Sequence, residues 1–169
     1  MSVKEYAPRV FVYGTLKRGF PNYDILKPYS LSAEKAVLPG LMWAAGGGYF
    51  PVVEIPLNNI LLFGQSNVAE DLVTVERQAV SNLFPEPKVE TDLTGGLGVI
   101  KGELVTLANP VSALKRLDRL EGFDPGGQSF YARALTWVKT GQSYAVAWIY
   151  LNESVTKGSA IPTGDWTKS

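Results

Sequence analysis

The chain has 169 residues, 46% hydrophobic and 19% charged, which suits one domain with a core that needs no covalent staples. Sixteen basic residues balance sixteen acidic ones, so charge gives no reason to expect nucleic acid or an anionic membrane as partner. Cysteine and histidine are both absent, which excludes disulfides, thiol nucleophiles, Ser-His and Cys-His dyads and His-ligated zinc; a proton carrier must be a carboxylate, a lysine or a tyrosine.

Residues 1–8 are mostly polar and end at Pro8. The apolar run that follows is too short for a signal-peptide core or a membrane span, and a cytoplasmic protein is expected. That run, Val10-Phe11-Val12-Tyr13, is β-branched and aromatic throughout, the pattern of a strand buried on both faces. It empties at Gly14 into a polar loop punctuated by Gly19 and Pro21. Such a turn either merely reverses the chain or presents backbone N–H groups that hold a carboxylate or a developing oxyanion. Asn22–Tyr29 reads as a short helix or loop limited by Pro28. Leu31–Trp43 reads as strand with a bend or bulge at Pro39-Gly40, Gly46-Gly47-Gly48 as a flexible bend, and Tyr49–Val53 as a further extended piece.

Asn67, with Glu70 three residues on, opens a predicted helix over Val68–Phe84, whose apolar residues recur at helical spacing and which Pro85 and Pro87 end. Val99–Leu107 alternates as a strand. Asn109-Pro110 then starts a second helix that Gly122 terminates. On a wheel of about 100° per residue its apolar stripe is Val111, Leu114 and Leu117, and Glu121 falls roughly 20° from Leu114, inside that stripe. Glu121 also sits at the helix carboxyl end, where the macrodipole disfavours a negative charge. A carboxylate against two local preferences either swings into water on a frayed last turn or is buried, with its pKa raised toward the range useful for proton transfer. Asp118 flanks the same stripe and competes for the role. Ser129–Lys139 and Ser143–Leu151 form a predicted hairpin across Thr140-Gly141-Gln142.

Three stretches carry a resemblance to a known family. Val10-Phe11-Val12-Tyr13-Gly14-Thr15-Leu16-Lys17-Arg18-Gly19, followed by Pro21-Asn22, resembles the amino-terminal signature of the γ-glutamyl cyclotransferase-like superfamily, and within it the γ-glutamylamine cyclotransferase branch. Leu117-Asp118-Arg119-Leu120-Glu121-Gly122 with Tyr131-Ala132-Arg133 resembles its Leu-Asp-x-x-Glu-Gly…Tyr-x-Arg block, and Thr163-Gly164-Asp165-Trp166 the ending common in bacterial members. The chain departs from the pattern in the extra Phe50 of Gly48-Tyr49-Phe50-Pro51, in a slightly long gap between Glu121 and Tyr131, and in residues 56–96, read as an insertion.

The resemblance implies a single α+β domain over 1–169, a small mixed barrel-like sheet with two main helices. It implies Glu121 as the catalytic carboxylate, and Tyr13, Gly14, Thr15, Leu16 and Tyr131 around a γ-glutamyl substrate. Glu103, in the Val-Ile-Lys-Gly-Glu-Leu strand, belongs with the scaffold. The implied reaction is intramolecular attack of the α-amine on the γ-glutamyl amide, releasing 5-oxoproline and a free amine or amino acid, with no cofactor. Without His, Cys or a suitably spaced acidic cluster, no metal is expected. The alternatives are a non-catalytic small-molecule-binding protein of the same fold and a relative acting on a carrier-bound γ-glutamyl intermediate. The leaving amine and the oligomeric state stay open.

Overall fold

The computed structural model describes residues 2–87, 98–124, 131–152 and 155–167. Strand β2 (Arg9–Val12) pairs antiparallel with β7 (Val99–Leu107), and parallel with β9 (Ser143–Leu151) through Val10 and Trp148. β7 pairs with β3 (Ser30–Pro39), β3 meets β8 (Ala132–Thr140) at Val37 and Lys139, and the β8–β9 hairpin closes the ring. Five strands thus form a mixed barrel. Two strands extend it: β1 (Ser2–Val3) runs parallel along β9, and β6 (Ile60–Phe63) antiparallel along β8.

Burial on both faces follows from the residue types in β2 and β9. Phe11, Leu104, Val138 and Ile149 fill the inside of the barrel, while Val10, Val12, Leu135 and Trp148 face outward. The outward set is covered by three helices: the single turn α1 (Tyr23–Leu26), α2 (Val68–Val80) and α3 (Pro110–Glu121). Leu114 and Leu117 of α3 are fully buried there, each stabilising by roughly 1.5–3 kcal/mol relative to exposure. A separate two-stranded hairpin, β4 (Leu41–Ala45) and β5 (Phe50–Glu54), lays Met42 and Val53 against the barrel interior. Its turn runs through Gly46, Gly47 and Gly48, all at positive φ, and leaves Tyr49 exposed at the tip.

The helix ends differ in detail from the sequence expectation. The Asn67 side chain caps α2, accepting from Glu70 N–H at 3.1 Å. The helix stops at Val80 instead of Phe84, because Asn82 takes a left-handed φ of 55° and Leu83 N–H folds back on Gln78 C=O at 2.9 Å. Asn109 stands at the cap position of α3 but is itself left-handed, and its side chain makes no capping bond. At the other end Gly122 adopts φ 69°, and Phe123 N–H reaches Asp118 C=O at 2.8 Å. Those bonds close the last turn of α3, so the frayed reading of Glu121 does not hold.

Of the segment 56–96, Ile60–Phe63 is a strand of the main sheet and Val68–Val80 is the second long helix; residues 88–97 lie outside the described residues. So do Ser129 and Phe130, the first part of the predicted hairpin strand, which is described from Ala132. Among the described residues no helix is long and apolar enough to cross a membrane.

Candidate active site

The stripe of α3 that buries Leu114 and Leu117 continues one turn further to Glu121. There the carboxylate is only partly buried. Among the described residues the groups that sense its charge are three tyrosines, Tyr13, Tyr131 and Tyr150. Among the described residues no cation pairs with it. Desolvation without a compensating charge pushes its carboxyl from 4.5 to about 7. Tyr131 is pushed up to about 12 by burial and by Glu121, against a hydrogen bond with Asn152.

The Tyr13–Leu16 turn leaves the end of β2 beside this carboxylate. The Tyr13 hydroxyl donates to the Tyr150 carbonyl at 2.5 Å. Lys17 N–H closes the turn on Gly14 C=O at 3.1 Å, and Asn22 donates from its N–H to Thr15 C=O (2.9 Å) and from Nδ2 to Thr15 Oγ1 (3.0 Å). Gly14 admits the hairpin: a β-carbon there would stand 2.6 Å from Pro51 Cγ. Lys17 is also held by the carboxyl-terminal segment, donating to Trp166 C=O at 2.6 Å and to Asp165 at 3.2 Å.

All six residues named from sequence meet in one pocket. Tyr13, Gly14, Thr15, Leu16, Glu121 and Tyr131 line it, together with Phe11, Val12, Phe50, Pro51 and Tyr150. The pocket is narrow, about 50 Å³. Phe50, Glu121 and Tyr131 also line a neighbouring cleft of about 730 Å³, with Arg119, Leu120, Gly122, Asn152, Val155 and Thr156. These three residues therefore stand at the junction of a tight chamber and a wide one. Phe50, the extra residue before Pro51, takes the junction position, while Tyr49 points away and is exposed.

The competing carboxylates are engaged elsewhere. Asp118 Oδ1 accepts from Arg133 Nε at 2.8 Å and from the Tyr150 hydroxyl at 2.6 Å, and lines neither chamber. Burial raises its pKa, opposed by Tyr150 and Arg133. Glu103 accepts from Arg18 N–H and Nε, both at 2.8 Å, away from the pocket. Sequence reasoning missed Tyr150, which lies in an unbroken apolar strand; it placed Arg133 in the motif block without a role, and missed its second carboxylate, Asp71. A signal for Asp71 was present: it falls among Val68, Leu72 and Val75 on the buried face of α2, as Glu121 does on α3. Among the described residues no group of three or more acidic side chains could hold a metal ion.

A closed mixed barrel with helices on one side and a carboxylate facing a strand-end turn defines a small α+β protein with an acidic pocket. The chain belongs to the family described as gamma-glutamyl cyclotransferase, AIG2-like, which matches residues 10–65 and 80–168. At family level its function is therefore cyclotransferase-like. The unmatched stretch, 66–79, is narrower than the insertion read from the sequence and is occupied mostly by α2. No curated protein matches the sequence significantly.

Three solved structures share the fold. YkqA from Bacillus subtilis has 20% identity and a TM-score of 0.56 over 95% of this chain, which spans 40% of that protein. An uncharacterised protein from Pyrococcus horikoshii has 18% identity and a TM-score of 0.52, covering 95% of this chain and 90% of the other. A mouse AIG2-like protein has 16% identity and a TM-score of 0.50, covering 97% of each.

Proposed function

We propose that the protein is a γ-glutamyl cyclotransferase that releases 5-oxoproline from a small γ-glutamyl amine, with Glu121 as its proton carrier. The observation that carries this reading is the position of Glu121: poised to titrate near neutrality, paired with no cation among the described residues, and in the same narrow pocket as the Tyr13–Leu16 turn. An ordinary surface glutamate is a poor base at pH 7, whereas a carboxyl at about 7 both takes and returns a proton readily.

In this reading the γ-glutamyl group occupies the narrow pocket and the leaving amine extends past Glu121 into the wide cleft. Glu121 takes one proton from the substrate α-ammonium, and the freed amine attacks its own γ-carbonyl carbon. A carbon–nitrogen bond closes the five-membered ring, and the carbonyl oxygen becomes an oxyanion. Backbone N–H groups of the Tyr13–Leu16 turn supply the donors for that charge. As the tetrahedral centre collapses, the bond to the leaving nitrogen breaks and Glu121 delivers its proton there. The surplus proton on the ring nitrogen follows by the same carboxylate, so the amine departs as an ammonium ion beside 5-oxoproline. Attack within one molecule makes positioning a large part of the rate. No cofactor or metal takes part in these steps.

The test is a panel of γ-glutamyl amines and γ-glutamyl dipeptides assayed for 5-oxoproline, with Glu121→Gln beside the wild type. Release by the wild type from a free small molecule, lost in the variant, supports the reading. Release by neither protein, with the substrates still bound, would leave a binding protein of the same fold. Turnover only of a carrier-attached γ-glutamyl group would move the substrate class.

A further inference from the structure

Arg133 is fully buried, and its guanidinium is shared between two helices. Nε donates to Asp118 of α3 at 2.8 Å, and Nη2 donates to Asp71 of α2 at 3.0 Å and to Gln65 C=O at 3.3 Å. The ring faces of Phe123 and Trp148 lie 5.1 and 4.6 Å away. Gly64 leaves the room, since a β-carbon there would stand 2.8 Å from the guanidinium. Asp71 is itself fixed by Gln65 N–H at 2.8 Å. A guanidinium removed from water in this way needs its charge met on more than one edge, and in this chain the second edge is met by a helix outside the family match.

The same network reaches the pocket. The Asp118 oxygen that holds Arg133 also accepts the Tyr150 hydroxyl, and Tyr150 in turn accepts the Tyr13 hydroxyl on its carbonyl. Tyr13 and Tyr150 are pocket walls, and Asp118 lies one turn before Glu121 on α3. We propose that Asp71 is a positioning residue for the active site: through Arg133 it holds the last turn of α3 in the register that aims Glu121 into the pocket. Helix α2 is then a working part of the site although none of its residues lines the pocket. The inference rests on Glu121 being the proton carrier of the preceding section.

Removing the Asp71 charge leaves Arg133 with one carboxylate to satisfy two edges. The guanidinium then closes on Asp118, draws it away from Tyr150 and turns the end of α3. Glu121 is faced by neutral Tyr13 from the end of β2 and by neutral Tyr131 and Tyr150 from beside β8 and from β9, with Arg119 of its own helix lining the same cleft; Asp118, one turn earlier, is turned to Arg133 and Tyr150. Turning the end of α3 opens the pocket to water and relieves the desolvation that raises the Glu121 carboxyl, so its proton is held less tightly.

Asp71→Asn is expected to lower kcat roughly 10- to 100-fold with KM little changed, the cost of a misplaced reacting group. It is also expected to move the acidic limb of the pH profile down by roughly half a unit. The titration of the Glu121 carboxyl, followed by carboxyl carbon NMR and assigned with Glu121→Gln, reads the same shift without turnover. If the wild type releases no 5-oxoproline, the cyclotransferase reading fails while this titration still decides the role of Asp71. Val75→Ala, which removes buried packing from α2 but no charge, should lower stability and leave the pH profile and the titration in place. Should Asp71→Asn not fold, Asp71→Glu keeps the charge but displaces it by one methylene, and a several-fold fall in kcat at constant KM is expected. A folded Asp71→Asn (or, in its place, Asp71→Glu) with wild-type kcat and titration would overturn the proposal. So would Val75→Ala shifting both as far as Asp71→Asn.

Discussion

The Tyr13 hydroxyl donates to the Tyr150 carbonyl at 2.5 Å, joining two pocket walls that are 137 residues apart in the chain. Tyr150 is the common member of the site, because its own hydroxyl donates to Asp118 at 2.6 Å. One side chain and one carbonyl therefore hold the end of β2 against the helix that carries Glu121.

Tyr13→Phe is expected to break that join while preserving the ring. The Tyr150 carbonyl is left buried without its donor, so stability should fall by roughly 1–3 kcal/mol in urea titrations. In the proposed reaction the loosened turn should raise KM for a γ-glutamyl substrate more than it lowers kcat. Unchanged stability would mean that the carbonyl finds another donor.

Glu121→Gln separates catalysis from stability. Turnover should fall roughly 10²–10⁴-fold, the usual share of acid–base catalysis, with substrate binding retained. In the wild type kcat/KM should fall as pH drops through about 7, where Glu121 takes up its proton. Stability runs the other way. The folded state binds this proton more tightly than the unfolded chain, so the associated stability is present below about 4.5 and lost as pH rises from there to about 7. Over that window the wild type should lose up to roughly 3 kcal/mol relative to Glu121→Gln. Denaturation midpoints at pH 4 and pH 8 check the sign: the variant should match the wild type at the lower pH and exceed it at the higher.

The two elements that carry this site were legible from strong local rules, while their assignment as site residues came from the resemblance of the two motif blocks. Val10-Phe11-Val12 admits little besides a strand buried on both faces, and the wheel of α3 places Glu121 among leucines whatever the rest of the chain does. The end of α2 was not legible, because a left-handed Asn82 is a local choice that many sequences decline. Nor was the pairing of Arg133 with Asp71, residues separated by 62 positions and brought together only by packing α2 over β8. Phe50 was visible as an extra residue, but only the hairpin geometry shows that Phe50, and not Tyr49, faces the pocket.

Asp118→Asn should behave unlike Glu121→Gln. It takes the charge from a buried carboxylate that serves both Arg133 and Tyr150, and leaves the guanidinium under-compensated. A stability loss on the order of 3–5 kcal/mol is expected by thermal or urea unfolding, with turnover falling through disorder of the pocket wall and not through loss of the proton carrier. A stable, fully folded Asp118→Asn without activity would move the catalytic role to Asp118.

In the proposed reaction Phe50 should control which amine leaves. Its ring stands where the narrow pocket meets the wide cleft, at the point a leaving group must pass if the γ-glutamyl end lies inside. The ring is itself packed against Gly46 of the hairpin turn. Phe50→Ala removes that wall without touching Glu121 or the Tyr13–Leu16 turn. For γ-glutamyl substrates with a bulky apolar leaving amine, the lost contact should cost about 1–3 kcal/mol in kcat/KM, roughly a 10- to 200-fold fall. A substrate with a very small leaving amine never reaches the ring and should be turned over nearly as before. Competition assays with one substrate of each kind read the ratio directly. An equal fall for both would mean that Phe50 shapes the inner pocket and that the amine leaves by another route.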